Sequence, residues 1–474
     1  MKPSRFMRAT RVVLRLFTDI REGEEASALM LLANVFLILC AYYFIKPLRE
    51  GWISVSEVAG LSKTGVKAST AFAQVLLLIP IVTAYGRFSA RWQRSVLITR
   101  MTLFCMSNMV IFWALQPGFF IDNLPIMGVV FYLWVGIFGV FVVAQFWSFA
   151  ADIYSQGRGK RLLPLVAIGA TAGAAFGSGL AGWLVQSKWV GTEWLLIVAL
   201  IPLGLSIVLT RVVDRRESEA HPLKLPSNLP SNAPSSAAGT QTEPKDDGPS
   251  ALSIVFSTRF LIAVAGITFL LNWVNTNGEN LLFRVVQDFL SQEAVAMNIS
   301  DPEQLLVFTR DGTTVFYSSF YGLVNLVALG LQAFAASRIL KYGGFGLLLL
   351  ILPVVAMFSY AAMAIVPILA VVKLMKVAEN ATDYSLNNTA RNVLWLPVAS
   401  SVIYKAKPAI DTLFARLGDG LAALTVIIGM ELLALPIGSF FVFNLALVII
   451  WLLASIIVVR EHRVLEESAD DDTS

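Results

Sequence analysis

Residues 26–50 read ASALMLLANVFLILCAYYFIKPLRE. The first twenty carry no charged side chain, which is the length a helix needs to cross a hydrocarbon core of about 30 Å. The run then ends on Lys46, Pro47, Leu48, Arg49 and Glu50, and at helical spacing Tyr42, Lys46 and Arg49 share a face. Nothing in the bilayer interior hydrogen-bonds an open backbone, so such a run is stable there as a helix. Eleven more apolar runs follow, at about 66–86, 95–115, 124–151, 162–185, 193–213, 257–285, 314–337, 345–367, 368–396, 407–429 and 437–459. They are too long and too little alternating for barrel strands. The expected fold is an all-α membrane protein with twelve transmembrane helices in two six-helix halves.

Composition agrees with this reading. The chain has 474 residues, of which 57% are hydrophobic and 14% charged, against about 25% charged in soluble domains. Its 36 basic and 32 acidic residues are too few to cover a soluble protein of this length. The bilayer is therefore an expected partner.

Basic residues gather in alternate short loops: Arg87, Arg91 and Arg94; Arg158, Lys160 and Arg161; Arg338 and Lys341; Lys405 and Lys407. The opposite connections, 117–125, the turn near Pro367 and 430–436, have none. By the positive-inside rule both termini are expected in the cytoplasm, with the chain in a bacterial inner membrane. This bias accounts for the formal charge of +4, so no nucleic-acid partner is expected.

The expected organisation is an amphipathic surface segment at 1–25, a first half at 26–213, a linker at 214–250, a second half at 251–459 and an acidic tail at 460–474. The linker holds Pro222, Pro226, Pro230, Pro234, Pro244 and Pro249 among Ser, Asn and Ala, which cannot bury a core. His221 falls in the linker and His462 in the tail, while Cys40 and Cys105 lie inside spans. No cofactor and no metal site is expected from them.

Polar residues recur on particular helices. On the tenth run Lys373, Lys376, Asn380, Asp383, Asn387 and Arg391 are spaced by 3, 4, 3, 4 and 4, which predicts one helical face. The fourth run has Gln145, Ser148 and Asp152, and the seventh has Asn272, Asn275 and Glu279. The sixth, ninth and twelfth carry essentially no charge. That pattern is expected of four three-helix units around a central cavity. A faint repeat joins Gly177-Ser178-Gly179-Leu180-Ala181 to Gly418-Asp419-Gly420-Leu421-Ala422. Gly169, Gly173, Gly177 and Gly179 are expected to serve helix packing, since no phosphate-loop Lys-Ser or Lys-Thr accompanies them.

Six plus six helices about a linker resemble the major facilitator superfamily, and several segments are similar to its ATP/ADP carrier branch. The segments are Lys46-Pro47-Leu48-Arg49-Glu50, Phe146-Trp147 with Gly159-Lys160-Arg161-Leu162-Leu163-Pro164-Leu165, Tyr384-Ser385-Leu386, Thr389-Ala390-Arg391, Tyr404-Lys405-Ala406-Lys407, Ile410-Asp411 and Arg416-Leu417-Gly418. The order of the first two bases is inverted relative to that branch, an acid after the tenth-helix base is replaced by Asn392, and a lysine by Asp419.

The resemblance implies a secondary active transporter working by alternating access, exchanging nucleotides or a related anionic phosphorylated solute, and not an enzyme. Lys46, Arg49, Lys376 and Arg391 would attract anionic groups, while Asn272, Asn275, Asn380 and Asn387 would supply neutral hydrogen bonds. Glu279, Glu379 and Asp383 would balance charge or take up protons. Asp411, Arg416 and Asp419 are candidates for gates or for static pairs, and Asp152 for a gate or an inner-loop salt bridge. Arg100 is expected to snorkel.

Charge counting qualifies the substrate. Candidate cations inside the spans are Lys46, Arg49, Arg100, Arg284, Lys373, Lys376, Arg391 and Arg416, against Glu50, Asp152, Glu279, Glu379, Asp383, Asp411 and Asp419. A site for a multiply charged anion should show a cationic surplus, whereas these are nearly balanced. The alternatives are a proton-coupled carrier of another polar solute and, outside transport, a non-transporting membrane protein or membrane-embedded enzyme. Paired histidines, metal-spaced carboxylates and nucleophile motifs are missing from the sequence, which argues against the enzyme.

Overall fold

A computed structural model of the chain describes residues 20–21, 24–58, 60–89, 94–116, 125–154, 156–187, 189–220, 251–398 and 400–471. The apolar runs form long helices, here numbered in chain order: α1 Glu25–Ser54, α2 Lys63–Ser89, α3 Arg94–Ala114, α4 Met127–Ile153, α5 Gln156–Gln186 and α6 Leu195–Ala220. After them come α7 Arg259–Ala296, α8 Pro302–Gly330, α9 Ala336–Ile365, α10 Leu369–Thr382 with its continuation Asp383–Asn387 and Asn388–Val393, α11 Ser400–Ala409 continuing through Ala415–Val426, and α12 Ile437–Asp471. No strand occurs among the described residues.

Nine described stretches are long and apolar enough to cross a membrane. One of them, Pro302–Ile365, holds both α8 and α9, and its helical course is broken within α9, where Gly344 takes φ 72° and ψ 179°. That conformation suits glycine and would strain any residue with a Cβ. With α2 and α10 the succession reaches the twelve helices that the apolar runs predict.

By internal contact the chain groups into two compact units. The first comprises 1–48, 78–122 and 134–245, and the second 49–77, 123–133 and 246–474. The last turns of α1 and the first part of α2 thus group with the helices that follow the linker.

In the first unit, α5 lies against α1 through glycine. A Cβ at Gly169 or Gly177 would sit 2.5 Å from the carbonyl oxygen of Leu32 or Cys40, and one at Gly173 would collide with Phe36. Small residues let the two backbones touch, which is how helices gain dispersion contact where lipid removes the hydrophobic drive. The second unit repeats the device between α11 and α7, where a Cβ at Gly418 would sit 2.5 Å from the Phe269 carbonyl oxygen. The short sequence repeat at Gly177 and Gly418 therefore has a packing counterpart. Gly179 has open space beside it and plays no such part.

Charges close one end of the first unit. Glu24 meets Arg161 at 3.0 Å and Arg158 at 3.3 Å, and Arg158 reaches Glu217 at 3.2 Å. The Ser27 hydroxyl also donates to Glu217. These pairings explain why α6 continues to Ala220, beyond the end near residue 213 that hydropathy predicts. A similar extension takes α12 through residues expected to form a tail, and buries His462 against Phe345, with ring centroids 4.0 Å apart. The amphipathic segment over 1–19 and the linker over 221–250 lie outside the described residues, as do the side chains of Arg87, Arg91, Arg94 and Lys160.

Large apolar side chains such as Leu76, Phe104, Ile201, Leu205, Leu326 and Leu453 are exposed on the helices, as lipid contact requires. Trp183, Trp189 and Trp194 are exposed around the α5–α6 connection, the place of an interfacial aromatic belt.

Candidate functional site

Two clusters of buried charge meet in the second unit. The first is built by the end of α1 and the start of α2. Arg49 and Glu50 are chain neighbours, and the guanidinium Nε donates to Glu50 Oε1 at 3.0 Å. Lys67 approaches the other carboxylate oxygen at 2.9 Å, so Glu50, with no exposed surface, holds a cation on each oxygen. The guanidinium lies 4.2 Å from the Tyr132 ring centre, and the Lys67 ammonium lies 4.5 Å from that of Phe283 and 5.5 Å from that of Tyr317. Aromatic faces stabilise cations taken out of water.

The second cluster joins α7, α9 and α10. The Lys376 ammonium, wholly buried, donates to Glu379 Oε2 at 3.0 Å and Asn275 Oδ1 at 3.2 Å, and lies 4.0 Å from Glu279 Oε1. Asn380 donates to the same Glu279 oxygen at 2.7 Å. The Tyr360 hydroxyl lies 3.1 Å from the Val274 carbonyl oxygen and 3.4 Å from Glu379 Oε1. Asn277 extends the polar contacts to α12, its side-chain amide donating to Asn444 Oδ1 at 3.0 Å. Room for all this exists because residue 278 is glycine: a Cβ there would collide with the Tyr360 hydroxyl and stand 2.7 Å from Lys376 Nζ. Lys67 links the clusters, its ammonium 3.5 Å from the Glu279 carbonyl oxygen.

The other predicted residues separate into smaller groups. Lys373 reaches Ser319 at 3.4 Å and stands over Phe316 at 5.2 Å. Beyond it the predicted single stripe of α10 divides. Residues Asp383–Asn387 form a π-helical turn, and the extra residue in that turn rotates everything beyond it by about one residue step. Asn387 donates to Asp383 at 2.7 Å, and Arg391 pairs with Asp411 at 3.0 Å, where Lys407 joins at 3.2 Å. Arg391 thus sits with α11 and apart from the Lys376 cluster.

Asp419 takes Arg416 at 2.9 Å and the Thr276 hydroxyl at 2.7 Å. Asn272 donates to the Thr268 carbonyl of its own helix at 2.7 Å and lies beside Gly418. In the first unit, Lys46 stands 5.2 Å from the Tyr43 ring centre, and Asp152 is exposed near the end of α4. Arg100 is exposed beside the apolar side chains Leu97, Met101 and Phe104.

Lys67, Tyr317, Tyr360, Asn444 and Gly278 are absent from the sequence-based selection. A signal for them exists: each polar one is an isolated tyrosine, asparagine or lysine in a span, where an unpartnered polar group is costly. Among the described residues no group of His, Cys, Asp and Glu is arranged to hold a metal ion.

No family model and no curated protein matches the sequence. Solved structures do match. The nucleoside transporter NupG is 13% identical and superposes with a TM-score of 0.59, covering 91% of this chain and 99% of its own. The POT family transporter PepTSo is 10% identical, with a TM-score of 0.58 and coverage of 93% and 98%. The human organic anion transporter MFSD10 is 14% identical, with a TM-score of 0.55 and coverage of 92% and 100%. At such identities the likeness speaks for architecture alone. The chain has the all-α fold of the major facilitator transporters.

Proposed function

We propose that this chain is a secondary active transporter that moves a small polar solute across a bacterial inner membrane by alternating access, with both termini in the cytoplasm. The observation that carries the proposal is the connected network of Arg49, Glu50, Lys67, Glu279, Lys376 and Glu379 inside helices long enough to span lipid. Charges at that depth cost several kcal/mol unless paired or hydrated, and they characteristically mark solute and ion paths. Arg49 and Lys376 would receive anionic groups, with Lys46 and Arg391 along the path. Asn272, Asn275, Asn380 and Asn387 would bond neutral groups. Asp152 and the pairs Arg391–Asp411 and Arg416–Asp419 would act as gates.

Nucleotide exchange is the finer reading of this function, supported by the sequence resemblance through Lys46-Pro47-Leu48-Arg49-Glu50 and the segment from Tyr384 to Gly418. A second reading, proton coupling, is favoured by Glu279 and Glu379, both within 4.0 Å of the Lys376 ammonium, with Asp383 further along α10. Purified protein in liposomes loaded with unlabelled ADP tests the first: uptake of labelled ATP would support it, and no counter-exchange would remove nucleotides while leaving the carrier. Uptake of another solute driven by a pH gradient, and lost in Asp383→Asn, would support the second.

A further inference from the structure

Each charge cluster of the second unit is closed on one side and open on the other. Around Glu50, the carboxylate and Lys67 are 0% and 4% exposed, and Arg49 is the member left 13% exposed. Around Lys376, the ammonium and Glu379 are 0% and 4% exposed, and Glu279 is left 24% exposed. The network therefore offers one guanidinium and one carboxylate to whatever enters.

These two outward groups are turned to different partners. Arg49 holds Glu50 through Nε and Nη2, and Glu279 accepts from Asn380. Lys67 stands between them, bonded to Glu50 and close to the Glu279 backbone. Through Lys67 the groups form one patch. The Tyr317 hydroxyl, in a fully buried side chain, has no hydrogen-bond partner.

Formal charge points the same way. Arg49, Lys67 and Lys376 are matched by Glu50, Glu279 and Glu379. In a poorly polarisable site an added net charge is costly, while a dipolar solute keeps the balance and satisfies both exposed ends.

We propose that the solute is a small zwitterion whose anionic group meets Arg49 and whose ammonium meets Glu279. This rests on the transporter reading above and names its substrate class. It also explains why the charges are nearly equal in number, which a multiply charged anion would not call for.

The test is counterflow without an ion gradient. Liposomes holding the full-length protein are loaded with unlabelled glycine, β-alanine, γ-aminobutyrate and alanyl-alanine, and uptake of each labelled compound is compared with that of propionate, propylamine and ADP. At least one zwitterion is expected to exchange, and the acid and amine lacking one charge should do so at least about tenfold less. Glu279→Gln should abolish that preference. It should also abolish the rise in Tm that the exchanging zwitterion produces in the unaltered protein, while its own Tm shows that it is folded.

ADP exchange without zwitterion exchange would overturn the inference and keep the transporter. So would zwitterion counterflow unchanged in Glu279→Gln but lost under a pH gradient, which would make Glu279 the proton site. Movement of no probe, by counterflow or by pH gradient, would overturn the transporter reading itself.

Discussion

Lys376 shows how a single side chain can anchor a membrane-embedded site. Its ammonium has no exposed surface and is held by Glu379 and Asn275, with Glu279 at 4.0 Å. Replacing it by methionine strands the Glu379 carboxylate, and breaking a buried pair in this way costs about 3–5 kcal/mol. Lys376→Met is therefore expected to lower Tm and abolish uptake, whereas Lys376→Met with Glu379→Gln should recover the Tm but not the uptake. Gly278→Ala belongs with these, because the added methyl group would displace the Tyr360 hydroxyl and Lys376 Nζ together. Liposome uptake should fall to background while the purified protein stays folded. Lys376, Glu379 and Asn380 were legible in the sequence because charge and amide groups stand out in an apolar run. Gly278 was not, because it matters only through Tyr360 and Lys376, far along the chain, whereas Tyr360 and Lys67 carried the signal of a polar group in a span without showing which partner each would meet.

Helices make contact through the residues that face one another, and spacing alone describes only part of this. Gly173 and Gly179 look alike in the sequence of α5, but the first abuts the Phe36 backbone on α1 and the second has nothing within 4 Å. Gly173→Leu is expected to destabilise by at least about 1–3 kcal/mol through overpacking, and Gly179→Leu by no more than about 0.5 kcal/mol. Thermal unfolding followed by tryptophan fluorescence separates the two. Gly418→Leu, at the matching α7–α11 contact, should behave as Gly173→Leu does. On α10 the regular spacing predicted a single stripe, and the π-turn at Asp383–Asn387 divided it. One residue of insertion is invisible to a periodic pattern but shifts every contact beyond it, which is why Arg391 meets Asp411 on α11.

For the molecule as a whole, the charged closure at Glu24 gives a pH signature. Burial raises the Glu24 carboxyl. The hydrogen bond from Arg161, the Arg21 backbone N–H and the charges of Arg161 and Arg158 outweigh that effect and hold it below its ordinary value of 4.5. A carboxyl lowered on folding stabilises fully above its unfolded value and loses that contribution as pH falls through its folded value. Tm should therefore not respond to this group between pH 7 and 5. It should decline below about 4.5, and decline less in Glu24→Gln. Topology is open to a separate check: a cytoplasm-active reporter fused after Ser474 is expected to be active and a periplasm-active one silent.

Twelve spans, the alternation of basic loops and the presence of charge on the first, seventh and tenth helices came from sequence alone. They follow from transfer free energy and helical period, which are local properties. Which charges touch was decided only by tertiary structure. Glu50 and Lys67 lie on different helices, as do Glu279 and Lys376, and pairing in a poorly polarisable interior depends on distances of a few ångströms. Gly278 leaves the room in which Lys376 reaches Glu279 and Glu379, and such pairings turned a list of balanced charges into a patch with one cation and one carboxylate facing outward.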